Sequence, residues 1–205
     1  MKLFSAFLTE LRKPKEVDQF KKQVSDIKSV DTRNQSWHSS LSSLMSKHGF
    51  TRVGSGKYAS VFKNTQYKYV VKVFMKDAAY FKWLEFVLKN RNNPYVPKIK
   101  GKVIKITPMF YAIRMEPLAP YKGSSEFMTH YSKWSRDPSY KSGDKDIDDI
   151  LQYFKKYKGL LDLHGENVML RGNQLVVIDP FYNWFGKHKP GEYTIDPDDV
   201  DPNIF

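Results

Sequence analysis

The hydrophobic period of the chain changes at Phe50, and this limits the fold more than any other feature of its 205 residues. Before it, "QSWHSSLSSLMSKHGF" places Trp37, Leu41, Leu44 and Met45 on one helical face, with Gly49 as a helix stop. After it, "FTRVGSGKYASVFKNTQYKYVVKVFMK" reads as three short strands, separated by a glycine-containing turn and a polar turn near Asn64-Thr65-Gln66. "DAAYFKWLEFVLKN" then has helical character, with Asp77 as N-cap and the Pro94 and Pro97 region beyond its end. "KIKGKVIKI" and "MFYAIRM" add two more strands. Five strands with an inserted helix predict an antiparallel α+β unit.

The rest of the chain has a different texture. "EPLAPYKGSS" is a connector, and "EFMTHYSKW" and "DIDDILQYFKKYKGL" are helices, the second with Ile147, Ile150, Leu151 and Phe154 facing inward. "NVMLRGNQLVVIDPF" is a hairpin turning at Arg171-Gly172-Asn173. Residues 1–49 are expected to form a helical extension, 50–115 a sheet-bearing unit, and 116–205 a mainly helical unit ending in the acidic, proline-punctuated "GEYTIDPDDVDPNIF". The first 35 residues read as two helices broken at Pro14.

Composition narrows the chemistry. Thirty-four Lys and Arg against 22 Asp and Glu give a charge of +12, which favours acidic partners: nucleic acid, nucleotide phosphates or an acidic protein surface. The chain has no cysteine, which excludes disulfides and thiolate metal sites and fits a reducing compartment. The five His, at 38, 48, 130, 164 and 188, lack the spacing of a structural zinc site. Leu3, Phe4, Phe7, Leu8 and Leu11 share a helical face, yet the segment lacks the apolar core and cleavage site of a signal peptide. No stretch is long and apolar enough to span a bilayer. A cytoplasmic protein is expected.

Four short segments carry potential chemistry. In "VGSGKYASV", Gly54 and Gly56 permit close backbone approach and positive φ, so the turn with Ser55 and Lys57 can cover phosphates; an ordinary hairpin uses the same glycines. Lys72 lies in "VVKVF", where a lysine needs an anion or must snorkel to water. Glu85, on the following helix, can pair with Lys72 and hold its ammonium towards phosphates, or stand solvated. Asp179 follows the strand Leu175 to Ile178, and Asn167 begins the paired strand. A carboxylate and an amide oxygen together suit Mg²⁺, a hard cation that prefers oxygen ligands. Asp162, five residues before Asn167, can orient a hydroxyl and accept its proton, or simply cap a turn. Their order along one chain is that of a phosphotransfer site.

In that order the segments resemble the protein-kinase fold. Gly54-Ser55-Gly56-Lys57-Tyr58-Ala59-Ser60-Val61 is similar to G-x-G-x-x-G-x-V with Ala59 at the third glycine, and Val70-Val71-Lys72 to V-A-I-K. Asp162 to Asn167 keeps the D-x-x-x-x-N spacing, and Asp179 falls at the D-F-G aspartate. The family most resembled is the early serine/threonine protein kinase of autographivirus-type bacteriophages, over roughly three quarters of the chain.

This resemblance implies a bilobal α+β fold with an antiparallel N-lobe sheet and a reduced, mainly helical C-lobe. It implies ATP bound with help from Gly54, Ser55, Gly56, Lys57, Lys72 and Glu85, catalysis by Asp162 and Lys72, and Mg²⁺ held by Asn167 and Asp179. The implied substrates are Ser or Thr residues of host proteins, and of the protein itself. The chain also departs from the family pattern. Leu160-Leu161 replaces His-Arg, so no arginine there reads an activation-loop phosphate. His164 takes the catalytic-loop lysine position, as in small-molecule kinases, and Pro180-Phe181 replaces Phe-Gly. Only 26 residues follow Asp179, with no A-P-E motif, so ATP binding is better supported than peptide recognition. A small-molecule phosphotransferase and a kinase-like protein that inhibits a host factor by binding it are the alternatives.

Overall fold

Helix α1, Ser36–Lys47, forms where apolar residues recur at helical spacing, and it buries Trp37, Leu41, Leu44 and Met45. It ends at Gly49, whose φ of 76° lets the Phe50 N–H reach back to the Met45 carbonyl at 3.1 Å. Any side chain at residue 49 would be strained at this φ, and its Cβ would stand 3.1 Å from Asn64 Nδ2. The computed structural model describes residues 36–106, 109–121, 123, 125–157 and 161–181. The helices expected before residue 35 and the acidic tail lie outside these residues.

The protein is mixed α+β, with four helices among the described residues. Strands β1 (Thr51–Ser55), β2 (Ala59–Lys63), β3 (Val70–Met75), β4 (Ile99–Lys105) and β5 (Phe110–Met115) form an antiparallel sheet in the order β1-β2-β3-β5-β4. All five expected strands are present. The pairing Lys63↔Val70 through Ala59↔Phe74 sets the β2–β3 register, and Val70↔Met115 through Met75↔Phe110 sets that of β3 and β5. Alternation places Phe62, Val71, Val73, Met75 and Ala112 on one face, where they share a core with Trp37, Leu41, Leu44 and Met45 of α1. Val61, Lys72 and Ile113 are in register and point to the other face.

Helix α2, Ala78–Lys89, starts where expected, with Asp77 accepting from the Tyr80 N–H at 3.1 Å. Its allegiance differs from expectation. The described residues divide into one unit of 36–76 and 99–117 and a second within 77–98 and 118–181, so α2 leaves the sheet-bearing unit. Aromatic packing is the reason. Trp83 stacks on Phe86, its ring lies near Tyr153, Phe154 and Phe181, and the Tyr153 hydroxyl donates to the Lys82 carbonyl at 2.6 Å.

The second unit also contains α3 (Glu126–Arg136), α4 (Lys145–Lys156), and strands β6 (Ala119–Pro120), β7 (Val168–Arg171) and β8 (Gln174–Val177) in the order β6-β7-β8. Ile147, Ile150, Leu151 and Phe154 of α4 are all fully buried, as its pattern requires. Asp144 caps α4 by accepting from the Asp146 and Ile147 N–H groups. Strand β6 was expected as plain connector; its two residues pair instead with Leu170 and Met169. The β7–β8 turn is tighter than expected, with Arg171 inside the ladder opposite Gln174 and Gly172 at φ 59°. No described helix is long and apolar enough to cross a membrane.

Candidate functional site

The expected site residues are distributed over both units, and each set has its own scaffold. In the first unit, β1 and β2 pair as Arg52↔Phe62, then Gly54↔Val61 and Ser55↔Ser60, with a register shift between Arg52 and Gly54. Gly54, Ser55, Gly56 and Lys57 are all exposed at the tip, which the Gly56 N–H closes on the Ala59 carbonyl at 2.9 Å. Neither Gly54 nor Gly56 takes the positive φ that glycine permits. What they supply is room: a Cβ at Gly56 would meet nothing within 4 Å, so a ligand can approach the backbone there.

Lys72 occupies the middle of β3, flanked by Val61 on β2 and Ile113 on β5, and is only 6% exposed. Lysine is seldom buried to this degree without an anionic partner. In the second unit Glu85 is buried on α2, where both its oxygens lie 3.4 Å from Lys82 Nζ. That i,i+3 pair was open to reading from the spacing alone.

The loop from Leu161 to Asn167 has the most developed geometry. Leu161 bridges to Phe181, and the Asp162 N–H donates to the Pro180 carbonyl at 2.8 Å. These contacts hold the start of the loop beside the chain that leaves β8. The end of the loop is held to the same chain, because the Asn167 carbonyl accepts from the Ile178 N–H at 3.0 Å and lies 3.4 Å from the Asp179 N–H. Asn167 then spans the loop: its Nδ2 donates to the Asp162 carbonyl at 2.5 Å. A carbonyl only accepts, so the side-chain nitrogen must face it, and Oδ1 is turned the other way. Asp162, Asn167 and Asp179 are thereby brought together by backbone and amide hydrogen bonds.

Neighbouring side chains complete the loop. His164 Nε2 stands 3.1 Å from Asn167 Nδ2 and 3.6 Å from Asp162 Oδ2, while the Glu166 N–H meets Nδ1 at 3.2 Å. Tyr131 of α3 has its phenol pKa raised, first by burial and then by the negative charge of Asp162. Phe181 is buried against Trp83, Tyr153, Phe154 and Tyr157, which anchors the chain just after Asp179. Arg171 fastens the hairpin from below, donating through Nη1 to the Pro94 carbonyl and through Nη2 to that of Val96, both at 2.9 Å. The roles of Tyr131 and Arg171 depend on folded proximity and carry no sequence signature.

Among the described residues no group of three His, Cys, Asp or Glu is placed to hold an ion by itself. Mg²⁺ does not require one, since it commonly uses one or two protein oxygens with water and substrate phosphate. The Asn167 amide oxygen and the Asp179 carboxylate are donors of that kind. A separate cavity of about 410 Å³ lies within the second unit, lined by Tyr95, Tyr121, Glu126, Gln174 and others, and none of the expected site residues borders it. Compared with protein-family models and with curated protein sequences, the chain gave no match.

Proposed function

We propose that the protein is an ATP- and Mg²⁺-dependent serine/threonine protein kinase of the phage early type, acting on host proteins and on itself. The observation that carries this reading is the hydrogen-bonded loop that gathers Asp162, Asn167 and Asp179, with the Asn167 amide donating to the Asp162 carbonyl. A kinase-like bilobal arrangement is part of the same proposal; the antiparallel sheet bearing a buried Lys72 supports it.

In this reading Asp162 orients the substrate hydroxyl and accepts its proton as the oxygen attacks the γ-phosphorus. A new O–P bond forms, the bond from the γ-phosphorus to the bridging oxygen breaks, and ADP leaves with that electron pair. Lys72 contacts the α- and β-phosphates, and the exposed backbone of Gly54 to Lys57 lies along the phosphate chain. Asn167 Oδ1 and Asp179 would hold Mg²⁺, which would neutralise charge on the phosphates. Half-exposed Asp162 is open to a solvent-borne hydroxyl.

His164 at the catalytic-loop lysine position, as in small-molecule kinases, supports a second reading in which the acceptor is a small molecule. One assay separates the two. Incubation of host lysate with γ-labelled ATP should give labelled protein bands, whereas labelled metabolites alone would favour the second reading. Asp162→Ala and Asp179→Ala should each lower transfer by at least about 10²-fold while circular dichroism stays unchanged. Full transfer by both variants would reject phosphotransfer at this loop. Removing Mg²⁺ with EDTA should stop the reaction, and added Mg²⁺ should restore it.

A further inference from the structure

His38 is a buried titratable group for which the proposed chemistry has no use. It sits on the face of α1 that meets the sheet, 4% exposed and 3.7 Å ring to ring from Trp37. Its Nδ1 lies 2.7 Å from the hydroxyl of Ser60, which is completely buried on β2. The backbone of Lys57, at the exposed tip between β1 and β2, lies close enough to the ring to favour its protonated form. One imidazole thus hydrogen-bonds the strand that returns from the glycine-containing hairpin and lies near the hairpin's tip. The helix that carries it is fixed by Trp37, Leu41, Leu44 and Met45 in the core.

The bond to Ser60 gives the β1–β2 tip a support from outside the sheet. Gly54 and Ser55 pair with Val61 and Ser60, and beyond that ladder the Gly56 N–H donates to the Ala59 carbonyl and the Met75 N–H to that of Tyr58, both at 2.9 Å. Residues 54–57 are exposed at the edge of the sheet, where two glycines leave the backbone more freedom than other residues would. Ser60 is one residue beyond the closing carbonyl, so fixing its hydroxyl fixes the direction in which the tip leaves the sheet.

We infer that His38 is a positioning residue that holds the 54–60 hairpin in one orientation, so that helix α1 sets how well this hairpin receives phosphate. The second half rests on the kinase reading; the first half does not. Loss of the ring frees the tip and leaves the sheet paired. Nucleotide affinity then falls, while turnover of bound nucleotide at Asp162 is little changed, because His38 touches no reacting atom.

Hydrogen exchange on the full chain tests the first half without any activity. In His38→Ala, amides of residues 54–60 should exchange roughly five- to ten-fold faster, with those of β3 and β5 unchanged. His38→Gln, which can again donate and accept, should restore most of the protection. Ser60→Ala, a smaller change, should give a partial effect and serves if His38→Ala does not fold. Unchanged exchange at 54–60, or equal acceleration across β3 and β5, would overturn the inference. For the second half, His38→Ala should raise the KM for ATP by a similar factor with kcat within about twofold of wild type. A fall in kcat alone would overturn it. If the wild type binds no ATP while the exchange pattern holds, the kinase reading fails and the clamp on the hairpin stands.

Discussion

Asn167 makes different uses of the two ends of one amide. Its nitrogen is committed to the Asp162 carbonyl, and only its oxygen faces away from the loop. Asn167→Asp should therefore be damaging although a carboxylate is the stronger ligand for Mg²⁺. It replaces a donor with an acceptor opposite a carbonyl, which should cost about 1–3 kcal/mol in urea unfolding and, under the proposed kinase reading, lower phosphotransfer at least as much as Asn167→Ala does. Activity at the wild-type level in Asn167→Asp would show that this hydrogen bond does not orient Asp162. His38 makes a prediction about pH. Burial chiefly, with Arg52 nearby, holds its pKa below the usual histidine value, while the Lys57 backbone opposes this. The unfolded chain then binds the proton more readily, so stability is full above about pH 6.5 and declines as pH falls through that value towards the lower folded pKa. Urea midpoints at pH 8 and pH 5 should differ more in the wild type than in His38→Gln. The sequence made Asp162, Asn167 and Asp179 legible through spacing, because their segments are short and contiguous. His38 went unused in that reading, although its place on the apolar face beside Trp37 was a signal that something buried had to satisfy it.

Among the elements, α4 shows how completely a helix can be specified locally. Asp144 caps it, Asp146 and Asp148 occupy the first turn, Lys155 and Lys156 the last, and the apolar residues fall on one side. Asp144→Ala should cost about 1 kcal/mol, seen as a lower urea midpoint with an unchanged slope. Ser142 adds its own support, with its N–H and hydroxyl both directed to Asp148 Oδ1. Helix α1 and the five-strand sheet were legible for the same reason, since their periods are strong and their turns carry Gly or Asn. Strand β6 was not. Its two residues join β7 through backbone pairing alone, and two residues have no period to read. Nor did the pattern of α2 reveal its partner, because it is buried on nearly all sides and Trp83 and Phe86 would suit any apolar surface.

At the scale of the whole molecule, the charge of +12 opposes the folded state through self-repulsion. Raising sodium chloride from about 10 mM to 150 mM shortens the screening length from about 30 Å to 8 Å, so the melting temperature should rise. A fall, read by calorimetry, would mean that local attractive pairs outweigh the net charge. The placement of α2 has a different consequence, which concerns the order in which the chain is made. Residues 77–98 leave the ribosome inside the sequence of the first unit, yet Trp83 and Phe86 pack with Tyr153, Phe154 and Phe181. At about 5–20 residues per second, the remaining stretch of on the order of 70 residues takes several seconds to appear. During synthesis that aromatic face waits without its partners, an exposed surface that a nascent-chain chaperone would be well placed to cover.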